Sequence, residues 1–172
     1  MKIIFHTGIG LLLVVMQTTA LPALGLSGFC YDLLIPFVIH LGRTFSLRLG
    51  FPLALGLGLL CDSLSAGAFG IYTTAYFWTL MLVFWLLTFL HARSSLIWPF
   101  IVAIGVLLEN GVILAASVLA QRAPAMLAPA IHLVLMQFIL AVFTGPLILR
   151  FFRWLGQRFT AAPRPGVARD ES

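Results

Sequence analysis

Residues Gly56–Tyr76 read GLGLLCDSLSAGAFGIYTTAY, and the fold turns on how that stretch is read. An apolar run reaches Cys61-Asp62-Ser63, breaks at Ser65-Ala66-Gly67-Ala68 and restarts at Phe69-Gly70-Ile71. Tyr72, Thr73, Thr74 and Tyr76 then open the next apolar segment. Lipid tolerates non-helical backbone only where protein or water covers it. An acid at such a break is a functional-site candidate. Two readings of Asp62 stand: a functional acid, or a carboxylate that caps the next helix or rests in headgroup water.

Working outward, the 172 residues are 62% hydrophobic and only 9% charged. Soluble domains carry about 25% charged residues, so the composition excludes one and points to an all-α integral membrane protein. The formal net charge of +5 does not imply nucleic acid, because base-reading motifs and a folded polar domain are both missing. Cys30 and Cys61 are too few for a disulfide framework. Burial as small apolar side chains is favoured over a bridge between them, and neither has metal-ligand spacing to a His or Cys. Lys2 followed by Ile3–Met16 resembles a signal peptide with a weak cleavage site at Thr18-Thr19-Ala20. The apolar run continues to Leu26, so a retained first span is expected.

A spanning helix needs about 20 apolar residues. Hydropathy and breakers place span 1 at Ile4–Leu24, span 3 at Leu49–Leu64, span 4 at Phe69–Leu90, span 5 at Leu96–Ala120 and span 6 at Pro129–Phe152. Span 2, Phe29–Leu41, is short, with Asp32 in its first turn and Pro36 inside, which predicts a half-helix or a buried, tilted one. Pro52 is expected in the first turn of span 3, and Pro146 is expected to kink span 6. Ala54, Gly56, Gly58 and the Gly111/Ala115 and Ala116/Ala120 pairs are expected to let helices approach closely. The transmembrane domain is assigned to residues 1–156 and a disordered cytoplasmic tail to 157–172. With both termini inside, all basic residues but Arg122 fall on the inner side, as the positive-inside rule requires. A five-span threading that drops span 2 puts Arg43, Arg48 and Arg150 outside.

Counting 1.5 Å per residue from the inner ends puts Glu109 and Gln137 at the same depth, about 20 Å in. Spans 5 and 6 share a short connection, so Glu109 or Asn110 is expected to hydrogen-bond Gln137. Other polar residues fall in the same outer half: Gln17, Thr18 and Thr19, then Asp32, Asp62, Ser63 and Ser65, then Tyr72 to Tyr76, and His132. This pattern is either an outward-facing polar cavity or contact surface, or interfacial decoration. His6, His40 and His91 fall at inner span ends and read as interface residues. Phosphate-binding glycine loops, HExxH, CxxC and GxSxG are missing. No catalytic residue, cofactor or metal is expected, and the reading is of a non-enzyme.

Tyr31-Asp32-Leu33-Leu34-Ile35-Pro36 resembles the Pro-Asp-Leu-Leu entry into the second span of the rod shape-determining MreD family. Gly58-x-x-x-Asp62-x-Leu64-Ser65-x-Gly67-x-x-Gly70, followed by Tyr76, resembles that family's Gly-x-x-x-Asp-x-Leu-Ser-Gly-x-x-x-Gly-x-x-x-x-x-Tyr segment. Tyr31 stands where Pro is usual and Ala66 where Gly is common. The resemblance covers Phe29–Tyr76; the remainder agrees in hydropathy. It implies a six-helix bundle in the bacterial inner membrane, a multi-pass scaffold of the cell-elongation complex. The implied partners are an MreC-like bitopic protein and, through it, MreB filaments, a RodA-type synthase and a class-B penicillin-binding protein, with membrane lipid around it. Partner or cavity candidates are Asp32, Asp62, Ser65, Gly67, Gly70, Tyr76, Glu109, Asn110, His132 and Gln137. The alternative is a substrate-capture subunit of an energy-coupling-factor vitamin transporter, a fold that MreD resembles. Span 1 here, with Gly8-Ile9-Gly10, lacks the alanine-rich docking motif usual in those subunits.

Overall fold

The computed structural model describes residues 2–23, 25, 31–65, 69–90, 97–119 and 127–160, and every regular element among them is helical. Helix α1 is Lys2–Val15; it widens into a π turn at Met16–Ala20 and closes with Leu21–Ala23. Then come α2 (Leu34–Thr44), α3 (Leu47–Leu64), α4 (Ile71–Leu90), α5 (Ile97–Leu119) and α6 (Leu127–Thr160). Among the described residues five helical segments are long and apolar enough to cross a membrane, which marks the chain as a membrane protein.

The exception is α2. Its 11 residues rise only about 16 Å, roughly half the hydrocarbon thickness. It starts five residues later than the sequence suggested, so Asp32 lies before the helix, outside its first turn. Asp32 and Pro36 together explain the late start. The Leu34 N–H donates to Asp32 Oδ1 at 2.7 Å, which satisfies the first amide of the helix from the residue before its N-cap, Leu33. Pro36 then falls in the first turn, where its missing donor costs no bond. Arg43, expected in a loop, occupies the last turn of α2.

Every residue from Leu34 to Gly42 is buried. Helix α2 is the centre of the bundle, packed against α1, α3, α4, α5 and α6. An apolar helix enclosed on all sides needs no polar face. The long helices, by contrast, turn Leu, Ile and Phe outward; Ile4, Leu119, Phe143 and Leu147 are among the most exposed. In water such a surface would drive aggregation. In a bilayer it is the lipid face.

The end of α2 remote from Asp32 is held by rings. His6 of α1 stacks on His40 at 5.5 Å, and Phe45 meets His6 edge-on at 5.0 Å. Both histidines are buried between helices; His91 lies outside the described residues. The Arg43 guanidinium sits 3.7 Å over the Trp98 ring at the start of α5. That contact is a cation–π pair at the bundle edge.

Helix α3 begins at Leu47, two residues earlier than expected, so Pro52 is its sixth residue. Its missing N–H removes the bond to the Arg48 carbonyl. Helix α6 runs through Pro146 and continues eight residues past Phe152, to 34 residues in all.

Candidate functional site

The break after α3 is built by three residues of the opening stretch. Asp62 lies in the last turn of α3 and accepts three hydrogen bonds from the first turn of α4. The Tyr72 N–H donates to Oδ1 at 2.9 Å, the Thr73 N–H to Oδ2 at 3.1 Å and the Thr73 hydroxyl to Oδ2 at 2.6 Å. First-turn amides have no partner within their own helix, and a carboxylate there also answers the positive end of the helix dipole. Of the two readings of Asp62, the capping one describes its geometry.

Gly58 makes the clasp possible. It lies one turn before Asp62 on the same face of α3. A Cβ at Gly58 would fall 2.6 Å from Thr73 Cα and 3.0 Å from Thr73 N, both backbone atoms. The first turn of α4 therefore rests directly on α3, within reach of the carboxylate. Gly70 turns the chain into α4 at φ +96°, a conformation that L side chains rarely adopt. Ser65 bonds Tyr72. Gly67 lies outside the described residues.

One turn deeper, Tyr76 is fully buried. Its hydroxyl donates to Asp32 Oδ2, and Cys61 Sγ lies 3.7 Å from the same hydroxyl. The Gln17 amide, carried on the π turn of α1, and the Glu109 carboxyl of α5 also lie within hydrogen-bonding reach of Asp32. The Asp32 and Glu109 carboxyls therefore lie side by side inside the bundle. Asp32, Asp62 and Glu109 are only 5%, 4% and 5% exposed. The acids thus sit inside protein, as polar groups in a bilayer must.

Five helices and the lead into α2 converge here. Tyr31, 3% exposed, adds α6: its hydroxyl meets Thr144 Oγ1 at 2.8 Å, and that oxygen donates to the Leu140 carbonyl. On the other side of α5, Asn110 Nδ2 donates to Gln137 Oε1 at 3.0 Å and to the Val106 carbonyl at 2.9 Å. The pairing of α5 with α6 expected from depth counting is present, through Asn110. Glu109, about 100° round the helix from Asn110, turns to Asp32 instead.

No family model, curated protein or solved structure matches the chain.

Of the ten candidates, Asp32, Tyr76 and Glu109 form one cluster, and Asp62, Ser65 and Gly70 build the adjoining clasp. Asn110 and Gln137 form a separate tie between α5 and α6. His132 stands apart from these groups. Its side chain is exposed on α6, five residues and so about 140° from Gln137, and faces away from the cluster. Gly56 and Gly111, expected at helix contacts, would have nothing within 4 Å of a Cβ added to them. Of the expected positions Gly58 does sit at a close approach, and Gly105, where Ile35 of α2 is the neighbour, adds a second that was not expected. Gln17 and Cys61 were not among the candidates. Gln17 was detectable as the amide of span 1 at the cluster's depth, and Cys61 as the residue one helical turn past Leu57 on the buried face of α3. No group of three or more His, Cys, Asp or Glu able to hold a metal occurs among the described residues.

Proposed function

We propose that this chain is a non-enzymatic scaffold of the MreD type in the bacterial inner membrane. It binds an MreC-like bitopic protein and so links MreB filaments to a RodA-type synthase and its class-B penicillin-binding partner. The observation that carries the reading is the connection between the residues of the resemblance. Gly58, Asp62 and Gly70 form one clasp between α3 and α4. Tyr76, from the same segment, reaches Asp32 of the other segment. Two separate stretches of the motif therefore meet in space around a single structural purpose. Asp32, Asp62, Tyr76 and Tyr31 each bond a neighbouring helix here, and of the buried polar atoms around them only Gln17 Oε1 and Thr79 Oγ1, among the described residues, lack a partner, which favours a packing surface over a pocket that captures a vitamin.

In this reading the chain crosses six times with both termini in the cytoplasm. Helix α2 supplies the second crossing, short as it is, because its lead-in meets Tyr76 and its last turn meets Trp98 at the start of α5. Its two ends thus address opposite ends of the bundle. The threading leaves only Arg122 of the basic residues outside, consistent with the positive-inside rule.

Depletion in a rod-shaped host is the direct test. Rounded cells, rescued by the wild-type chain, and co-purification of an MreC-like protein support the scaffold. Rods that persist on depletion, with a growth defect cured by one vitamin, refute it in favour of the transporter subunit.

A further inference from the structure

A cavity of about 320 Å³ lies between α1 and α3, away from the polar cluster. Thr7 and Leu11 form one wall, Pro52, Gly56 and Leu60 the other, and Phe37 of α2 the floor. Leu11, Gly56 and Leu60 are exposed, so the cavity is a groove on the lipid face. Its lining is apolar in effect. The Thr7 hydroxyl is turned back to the Ile3 carbonyl at 2.9 Å, and His6, at the groove's inner end, is packed on His40.

The α3 wall has a further property. Arg48, Pro52, Gly56 and Leu60 are spaced by four, so they form one stripe along the helix. Three of them line the groove, and the fourth, an exposed arginine, lies one turn beyond its inner mouth. Lys2 opens α1 at the same end. An acyl-sized apolar slot that ends in a cation has the two-part chemistry of a phospholipid: chain in hydrocarbon, phosphate at a basic side chain.

We propose that this groove holds one acyl chain of an anionic phospholipid of the inner leaflet, with its phosphate on Arg48. The assignment to the inner leaflet rests on the orientation given above. The competing occupant is a partner's transmembrane helix. A bitopic partner carries Lys and Arg on its cytoplasmic flank by the same charge rule, which would set like charges against Arg48. The groove's own charge therefore favours the lipid.

The test is native mass spectrometry of the full chain released from vesicles of equal phosphatidylglycerol and phosphatidylcholine. The wild type retains one phosphatidylglycerol. Gly56→Phe fills the groove and loses it; the position has open space around a Cβ, so the variant folds, as its thermal unfolding would verify. Arg48→Gln binds about fivefold more weakly, the effect of one basic residue near a charged surface. Arg158→Gln, on α6, retains lipid as the wild type does. Unchanged retention in Gly56→Phe, or equal retention of phosphatidylcholine, overturns the proposal, as does a co-purifying bitopic protein that Gly56→Phe displaces. A carboxyl-terminal reporter reads orientation separately. An exported terminus overturns the inner-leaflet assignment even where retention persists. No phosphatidylglycerol retained by the wild type, with a cytoplasmic terminus, overturns the lipid and leaves the topology standing.

Discussion

Replacing Gly58 by alanine adds one methyl group where α3 and α4 touch. The new Cβ would lie 2.6 Å from Thr73 Cα, whereas carbon atoms rest at about 3.5–4.0 Å. The clash is with backbone, so no rotamer change relieves it, and the first turn of α4 must retreat by about 1 Å. The Thr73 N–H lies 3.1 Å from Asp62 Oδ2; a retreat of that size carries it beyond hydrogen-bonding distance. Overpacking costs about 1–3 kcal/mol, and a lost bond to a charged acceptor about 1.5–3 kcal/mol. Alanine's better helix propensity returns up to about 1 kcal/mol. The net expectation is a destabilisation of about 1.5–6 kcal/mol.

Gly56→Ala is the matched control, two residues away in the same helix, with nothing within 4 Å of its Cβ. It gains helix propensity without a clash and is expected to be neutral or stabilising by up to about 1 kcal/mol. The assay is reversible unfolding in mixed micelles, followed by circular dichroism. A Gly58→Ala protein as stable as Gly56→Ala would refute the close contact and, with it, the reason for glycine at position 58.

Three further outcomes follow from the same geometry. Asp62→Ala leaves the Tyr72 and Thr73 amides without an acceptor and should cost about 2 kcal/mol. Asp62→Asn, which keeps one acceptor oxygen, should cost less, and equal losses in the same unfolding assay would contradict the capping role. Tyr76→Phe strips a buried donor from Asp32 at nearly constant volume and should destabilise by about 1–3 kcal/mol. In a double-mutant cycle, Asn110→Leu and Gln137→Leu should couple by about 0.6 kcal/mol, up to 1.7, the range for polar pairs between membrane helices. Strict additivity would mean that the two amides do not meet.

The sequence disclosed depth better than direction. Counting along the helices put Glu109, Asn110 and Gln137 at one level, and Asn110 and Gln137 do pair. His132 was grouped with them only as lying in the same outer half, and it is exposed on α6. Depth follows from residue number, but the face of a helix that meets a neighbour depends on packing with the other helices. The start of α2 was illegible for a related reason. Phe29–Leu41 is apolar throughout except Asp32 and His40, and hydropathy cannot locate a helix start within such a run. The bond from the Leu34 amide to Asp32 and the first-turn tolerance of Pro36 decide it. The burial of α2 could be anticipated from its shortness. Its position at the centre of the bundle could not, because any apolar helix suits lipid as well as protein. The motif glycines were visible as small residues, but only coordinates separate Gly58, in backbone contact, from Gly56, which faces open space.

The central claim is that Asp62 clasps the first turn of α4. Residue-resolved amide hydrogen exchange in micelles or nanodiscs reads that clasp directly, because the Tyr72 and Thr73 amides have no helical acceptor of their own and bond to Asp62. The account predicts slow exchange at both amides in the wild type. In Asp62→Ala both should become fast, while Leu80, in the body of α4, keeps its protection. Tyr72 and Thr73 amides that exchange alike in the two proteins would contradict it.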